Sequence, residues 1–341
     1  MSTPLRLLST GMVTAVGLDA AASCAAIRAR LDGFQEIRFQ TPAGDMQVGG
    51  PVPLPRKWIG QRRMAHLAAG ALTDAMARLG APVSDKLAVI LCLSEAGRIG
   101  APIRDEDAFS AQLRSFAGLG SKVEFHSITH GRPSGFAALE QARRILSRRQ
   151  AEQVIILGVD SYLMHPCLSH YAGDKRLLDP DNANGFIPGE AAAVIILEAG
   201  AGPGLTLTGL GLAREDASIY NAAELPLRAD GMTQAYRDAL EQSDLQMHQV
   251  GYRISDLIGE AYWFKQSALA HVRLTREPSE QFQDFWSPTE SIGNIGAAVV
   301  PLMMGMALTA SQKGYDIGSS VLIEASGDDG ACGAAVFRRA A

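Results

Sequence analysis

The stretch THGRPSG at 129–135 gathers His130, Arg132 and Ser134 into one Gly/Pro turn. A short apolar segment precedes the turn and an amphipathic one follows. A turn that opens a helix aims free backbone N–H groups at whatever sits before it, a setting for a nucleophile or an anion. Ser134 with His130 has the residue types for nucleophilic catalysis. The turn reads G-R-P-S-G rather than G-x-S-x-G, and no orienting acid is evident. The blander role of Ser134 is a helix cap. A second group is His165, Cys167 and His170 in MHPCLSHY at 164–171. These are soft ligands, or Cys167 is a nucleophile. A metal site needs further ligands and a supporting shell, so no metal is expected. Asp179, Asp181 and Asn184 have half the spacing of a calcium loop without its closing Glu, and read as structural.

The elements that position these residues follow from periodicity. Residues 5–8 read as a strand, 9–11 as a turn and 18–31 as a helix. The stretch 33–57 mixes short strands and loop. A helix over 61–79 has its apolar residues on one side. LAVILCL within 86–93 is apolar on both faces, as in a buried parallel strand. A helix is expected over 105–116, a helix over 133–147 after the turn, and a strand over 153–158. A long polar loop is expected over 161–184, then a strand over 189–198. After a Gly-rich joint at 200–204 come strand 205–212, helix 230–242, strand 253–259 and helix 261–272. A helix from Gly293 to about 310, a strand over 320–325 and a strand over 330–338 complete the chain.

The two parts, 1–200 and 201–341, share an order. Gly131-turn, helix, strand and GEAAAVIILE match Gly293-turn, helix, strand and GACGAAVFRR. This predicts internal duplication. Two βαβ-type halves would direct two helix N-termini toward one site.

The totals restrict the function classes. A chain of 341 residues with net charge −5 and pI near 5.8 lacks the clustered cations of a nucleic-acid binder. Arg143, Arg144, Arg148 and Arg149 fit a solvated helix end. The four cysteines show no metal spacing, and Cys24, Cys92 and Cys332 read as small buried residues. Scattered cysteines, no evident signal peptide and no apolar run long enough for a bilayer predict a cytoplasmic protein without a membrane span.

Several motifs resemble the thiolase-like fold, in particular the β-ketoacyl synthases, nearly end to end. LLSTGMVTAVG at 7–17 is similar to that family's opening strand. DPDNANGFIPGEAAAV at 179–194 resembles its D-x-D-x-x-G-F-x-x-G-E-G-A-A segment. GNIGAAVVP at 293–301 is similar to the G-N-T-x-A-A-x-x-P stretch of the class III synthases, and ASGDDGACGAAV at 325–336 to the closing Gly-rich hairpin. The resemblance implies an α/β body of layers α-β-α-β-α, acyl transfer from coenzyme A or acyl carrier protein, and an obligate dimer. It requires no separate cofactor. It also implies a Cys at the elbow, a His after a strand and a second His or Asn.

Set against that pattern, Arg132 stands at the Cys position, and Arg has no thiolate. Glu260 and Tyr262 stand where the first His is expected, and Asn294 is the retained amide. Glu290 lies near a position where other members carry Lys. Arg132 reads either as an anion clamp paired with Glu260 or as a residue that plugs the pocket. Asn294 reads as a cap that can also donate to a carbonyl. His130, Ser134 and Tyr262 are the expected substrate contacts. The expected protein is a ketosynthase-like chain without Cys-dependent condensation, which binds an acyl thioester or acyl carrier protein or partners an active synthase as a homo- or heterodimer. Its alternatives are altered non-Cys acyl chemistry and a dimeric scaffold. The expected partner surface is the strand at 153–158.

Overall fold

A computed structural model describes residues 3–41, 44–55, 57–221, 223–275 and 283–339. Residues 42, 43 and 56, within the mixed stretch 33–57, lie outside that set. The first half contains β1 (Leu5–Val13), α1 (Ala20–Arg28), β2 (Gln35–Gln40), β3 (Met46–Gly49), α2 (Gly60–Leu79), β4 (Leu87–Cys92), α3 (Glu106–Ala117), β5 (Glu124–Ile128), α4 (Ser134–Ser147), β6 (Gln153–Ser161), α5 (His165–Gly173) and β7 (Glu190–Ala199). The second contains β8 (Leu205–Arg214), α6 (Asp230–Gln242), β9 (Tyr252–Ser255), α7 (Ala261–Leu274), β10 (Asp284–Trp286), α8 (Thr289–Ile292), α9 (Val299–Lys313), β11 (Ser320–Ser326) and β12 (Ala331–Arg339).

The strand order is β10-β9-β11-β12-β8-β1-β7-β6-β4-β5. It divides at β1–β8, which meet only at Leu5↔Leu207 and Arg6↔Thr206. Each side has one pattern. β4 lies parallel between β5 and β6, and β7 and β1 follow antiparallel. β9 lies parallel between β10 and β11, and β12 and β8 follow antiparallel. The duplicated order expected from the sequence is therefore the order of the sheet.

The layers follow from the apolar faces. β4 is buried at every residue, as its unbroken LAVILC demands. α2 and α3 cover one face of the first five strands. α6 and α7 cover the outer face of the second five. α4 and α9 touch strands of both halves and form the central layer. Every α9 residue from Val299 to Ala310 is buried, because a helix between two sheets has no solvent face. Gly135 lets α4 and α9 touch: a Cβ there would fall 2.6 Å from Val300 Cβ.

Four expectations need correction. Ser9, Thr10 and Gly11 form no turn. They lie inside β1, where the Ser9 hydroxyl donates to Ala75 O at 2.7 Å and α2 backbone crosses Gly11. The segment 161–184 is not all loop, because α5 forms over HPCLSHYAG with Pro166 in its first turn. The helix after Gly293 begins as a 3-10 turn at 296–298 and becomes α-helical only at Val299. Strand β6 cannot receive a partner strand, because β4 and β7 occupy both of its edges. Among the described residues, the edges of the ten-stranded sheet are β5 and β10, of which β10 is not among the strands expected from the sequence, while β2 and β3 form a separate two-stranded sheet.

Candidate functional site

The elbow is built by backbone bonds before any side chain acts. Gly131 N–H donates to Leu93 O at 3.1 Å, and Ser134 N–H donates to Gly131 O at 3.0 Å. Gly131 has φ +63°, and a Cβ there would fall 2.0 Å from Glu95 Oε1. Only Gly fits both the left-handed backbone and that contact. The tight turn directs Arg132 inward, where it is 0% exposed.

Arg132 is enclosed by groups from the second half. Its Nη1 donates to Asp256 Oδ2 at 2.9 Å, just past β9, and its Nη2 to Asp328 Oδ1 at 3.2 Å, in the β11–β12 turn. Its guanidinium lies 3.9 Å from the ring centre of Trp263 on α7. The Trp263 indole N–H donates to Glu260 Oε2 at 2.9 Å. Glu260 in turn accepts from Arg176 Nε at 2.7 Å and Nη2 at 2.8 Å. Arg176 Nη1 closes the ring on Asp328 Oδ2 at 2.5 Å, and Tyr220 OH joins both. Two guanidiniums and three carboxylates thus share one buried network.

The expected Arg132–Glu260 pair is not formed. Glu260 pairs with Arg176, and Trp263 relates it to Arg132 by a stack on one side and a hydrogen bond on the other. Arg176 was not singled out from the sequence. Burial alone would raise the Asp328 carboxyl, but Arg176 and Arg132 outweigh it and hold it below the ordinary range. Burial also pushes the Asp256 carboxyl up, and Arg132 only partly opposes this. Burial disfavours the Arg132 charge, yet Asp256 and Asp328 more than compensate, so it stays protonated.

The second turn is also occupied. Asp160, at the end of β6, accepts from Ala297 N–H at 3.1 Å and from both ends of the Arg98 guanidinium. A carboxylate of this chain therefore sits at the positive end of the helix leading into α9. Asn294 Oδ1 accepts from Gly296 N–H at 3.0 Å, while the Asn294 backbone bonds to Ile187 and Gly189. Asn294 thus accepts the first N–H of the 3-10 turn from one residue before its N-cap, Ile295, and is not the cap of α9.

The other candidates disperse. His130 is exposed, and its backbone N–H, not its ring, meets Ser134 Oγ at 3.1 Å. The Ser134 hydroxyl thus bonds back to the chain before the helix, neither paired with an imidazole nor capping α4. Tyr262 OH donates to Ala217 O at 2.6 Å. Tyr262 also lines an open cleft of about 580 Å³ with Tyr220, Arg176, Glu260 and Asn184. Asn184 Oδ1 accepts the Ala261 N–H at 2.7 Å and so caps α7. Asp179 Oδ1 accepts the N–H groups of Asp181 and Asn182, a local turn.

His165 stacks edge-on against Phe39, His170 lies 3.6 Å from Asp174, and Cys167 is buried. Among the described residues no three such ligands gather for a metal. Burial pushes the Cys167 thiol up to about 12, and the thiols of Cys24, Cys92 and Cys332 are raised by the same cause. None is a thiolate at a helix N-terminus.

The chain has the thiolase-like fold of the ketosynthases. It matches a structure described as "The ishigamide ketosynthase/chain length factor" with TM-score 0.78 and 16% identity over 100% of both chains. It matches a chain of "AntDE:AntF (apo): type II PKS acyl-carrier protein in complex with its ketosynthase bound to the hexaketide" with TM-score 0.77 and 17% identity, again over 100% of both. A third match, "Ketosynthase (ApeO) in Complex with its Chain Length Factor (ApeC) from Xenorhabdus doucetiae", has TM-score 0.73 and 13% identity over 99% of this chain and 98% of that one. No protein-family model matches the chain, and no curated protein matches it in sequence. Among the described residues no helix is long and apolar enough to cross a membrane.

Proposed function

We propose that this chain is a ketosynthase-like subunit that does not carry out Cys-dependent condensation, and that it serves as the inactive partner of a condensing synthase. The observation that carries this reading is Arg132, fully buried at the elbow and held by Asp256 and Asp328. A permanent cation with two carboxylate partners can neither attack a thioester nor leave room for one that does. The Asp160 carboxylate at the start of the opposite helix removes a second asset, the positive helix end that would stabilise an oxyanion.

The fold relatives support the partner role by what they are: a ketosynthase in complex with a chain length factor, and an acyl carrier protein in complex with its ketosynthase. This chain would meet an active synthase, or a second copy of itself, and would contribute to acyl carrier recognition in the cytoplasm. The cleft that Arg176 and Glu260 line favours retained contact with a thioester carrier over a purely structural body.

The test is incubation of the purified chain with radiolabelled acyl-CoA and malonyl-acyl carrier protein. The expected result is no condensation and no acylated side chain by mass spectrometry. Acylation at any residue, or turnover that Arg132→Ala and Asn294→Ala abolish in variants shown by circular dichroism to be folded, would instead establish an altered, non-Cys acyl chemistry.

A further inference from the structure

A second site lies away from the elbow, where the C-terminal end of α1 meets β10 and the segment after α9. A cavity of about 310 Å³ opens there, at the lower end of the size that holds a small ligand. Its apolar side comes from Ile27 and Met306, and its aromatic side from Trp286 and Tyr315. Trp286 is fixed in place, because the fully buried Tyr252 ring supports it at 4.4 Å. Tyr315 stands 6.2 Å from Trp286, too close for a ring to be sandwiched between them. A flat ligand would lie across both.

The lining carries two cations and two carboxylates, and the cation held at the aromatic wall sets the ligand's sign there. Arg28 and Arg30 both line the cavity. The Arg28 guanidinium is anchored 4.2 Å over the Tyr315 ring. Among the described residues no ion pair involves Arg28 or Arg30, nor Asp284 or Glu290, which line the same cavity. Elsewhere, Arg63 and Arg176, which line two other clefts, are committed to Glu190 and to Glu260 and Asp328. Arg28 and Arg30 retain donors in a fork that suits a carboxylate or phosphate.

We propose that this cavity binds a small aromatic anion, its ring against Trp286 and Tyr315 and its carboxylate or phosphate on Arg28 and Arg30. An aryl carboxylate and a nucleoside monophosphate share that chemistry. The site is independent of the elbow and does not rest on the partner role proposed above.

Titration calorimetry on the full chain tests this, with 4-hydroxybenzoate and adenosine monophosphate as separate probes. Their uncharged counterparts, the methyl ester and adenosine, serve as controls. Saturable binding of one anionic probe is expected, with at least tenfold weaker binding of its neutral counterpart. The Arg28→Ala/Arg30→Ala variant is expected to weaken binding at least tenfold at an unchanged melting temperature, since both side chains are exposed. Trp286→Leu tests the aromatic wall, with circular dichroism to confirm folding. Binding of the first probe alone identifies an aryl acid, and of the second alone a nucleotide. Absence of saturable binding by either probe overturns the proposal. So does equal affinity for the neutral counterparts, tighter binding of benzylamine, or an undiminished affinity in the double arginine variant.

Discussion

Arg132 and Asp256 are closely interdependent, because Arg132 is the cation that Asp256 bonds and both are buried. Asp328 is different, since Arg176 also holds it. Arg132→Met should therefore destabilise by about 3–5 kcal/mol in urea unfolding, most of it from stranding Asp256. Arg132→Met/Asp256→Leu should recover a large part of that loss, and a double-mutant cycle measures the coupling. A single variant as stable as the wild type would show that the network is solvated rather than closed. Glu324 is a second buried acid, fully enclosed, with Ser267 donating to Oε1 at 2.6 Å and Arg253 no closer than 3.8 Å. Burial pushes its carboxyl up to about 8 from an ordinary 4.5. The folded state thus holds this proton more tightly than the unfolded state. Stability on its account is fullest below about pH 4.5 and declines as pH rises through about 8. Glu324→Gln should flatten that decline, so its urea midpoint relative to wild type should rise between pH 6 and pH 9. A parallel pH profile for the two proteins would place the charge elsewhere.

At the scale of elements, the site depends on the close approach of α4 and α9. Gly135 faces Val300 and Pro301, and an added Cβ would lie 2.6 Å from Val300 and 3.1 Å from Pro301 Cδ. Both neighbours are on a rigid, fully buried helix. Gly135→Ala should cost about 1–3 kcal/mol by overpacking, and the smaller Val300→Ala in the same chain should relieve part of it. An additive pair would mean that the helices simply move apart. These two helices were legible in the sequence, as was β4, because a continuous apolar run or a Gly-led turn is a local signal. α5 was not legible, since HPCLSHYAG carries no clear apolar stripe and its burial comes from the aromatic cluster of Tyr162, Tyr171 and Phe186. The ion network was legible only in part. Arg132 stood out because it occupies a turn with a known geometry. Arg176 did not, because its partners Glu260 and Asp328 lie 84 and 152 positions away. No spacing rule reaches across such separations; only the folded sheet order brings the ends of β9 and β11 beside the elbow.

For the whole molecule, the sheet order decides where a partner strand can add. Among the described residues the ten-stranded sheet leaves two edges, and they are unequal. β10 is only three residues long, a blunt edge that discourages pairing. β5 has five residues and, among the described residues, pairs with β4 alone, which leaves its other side as an open strand edge. A partner that continues the sheet through β5 would bring its own central helices near the first half of this chain. The chain should therefore run as a dimer at micromolar concentration, alone or with a condensing synthase, when measured by light scattering. Successive residues of a strand send their N–H groups to opposite sides, so of Phe125 and His126 one faces the open edge. Phe125→Pro and His126→Pro should then differ. The inward one should unfold the edge by removing a bond to β4, and the outward one should leave circular dichroism intact while converting the dimer to monomer. A dimer that survives both substitutions with its fold intact would move the partner surface away from β5.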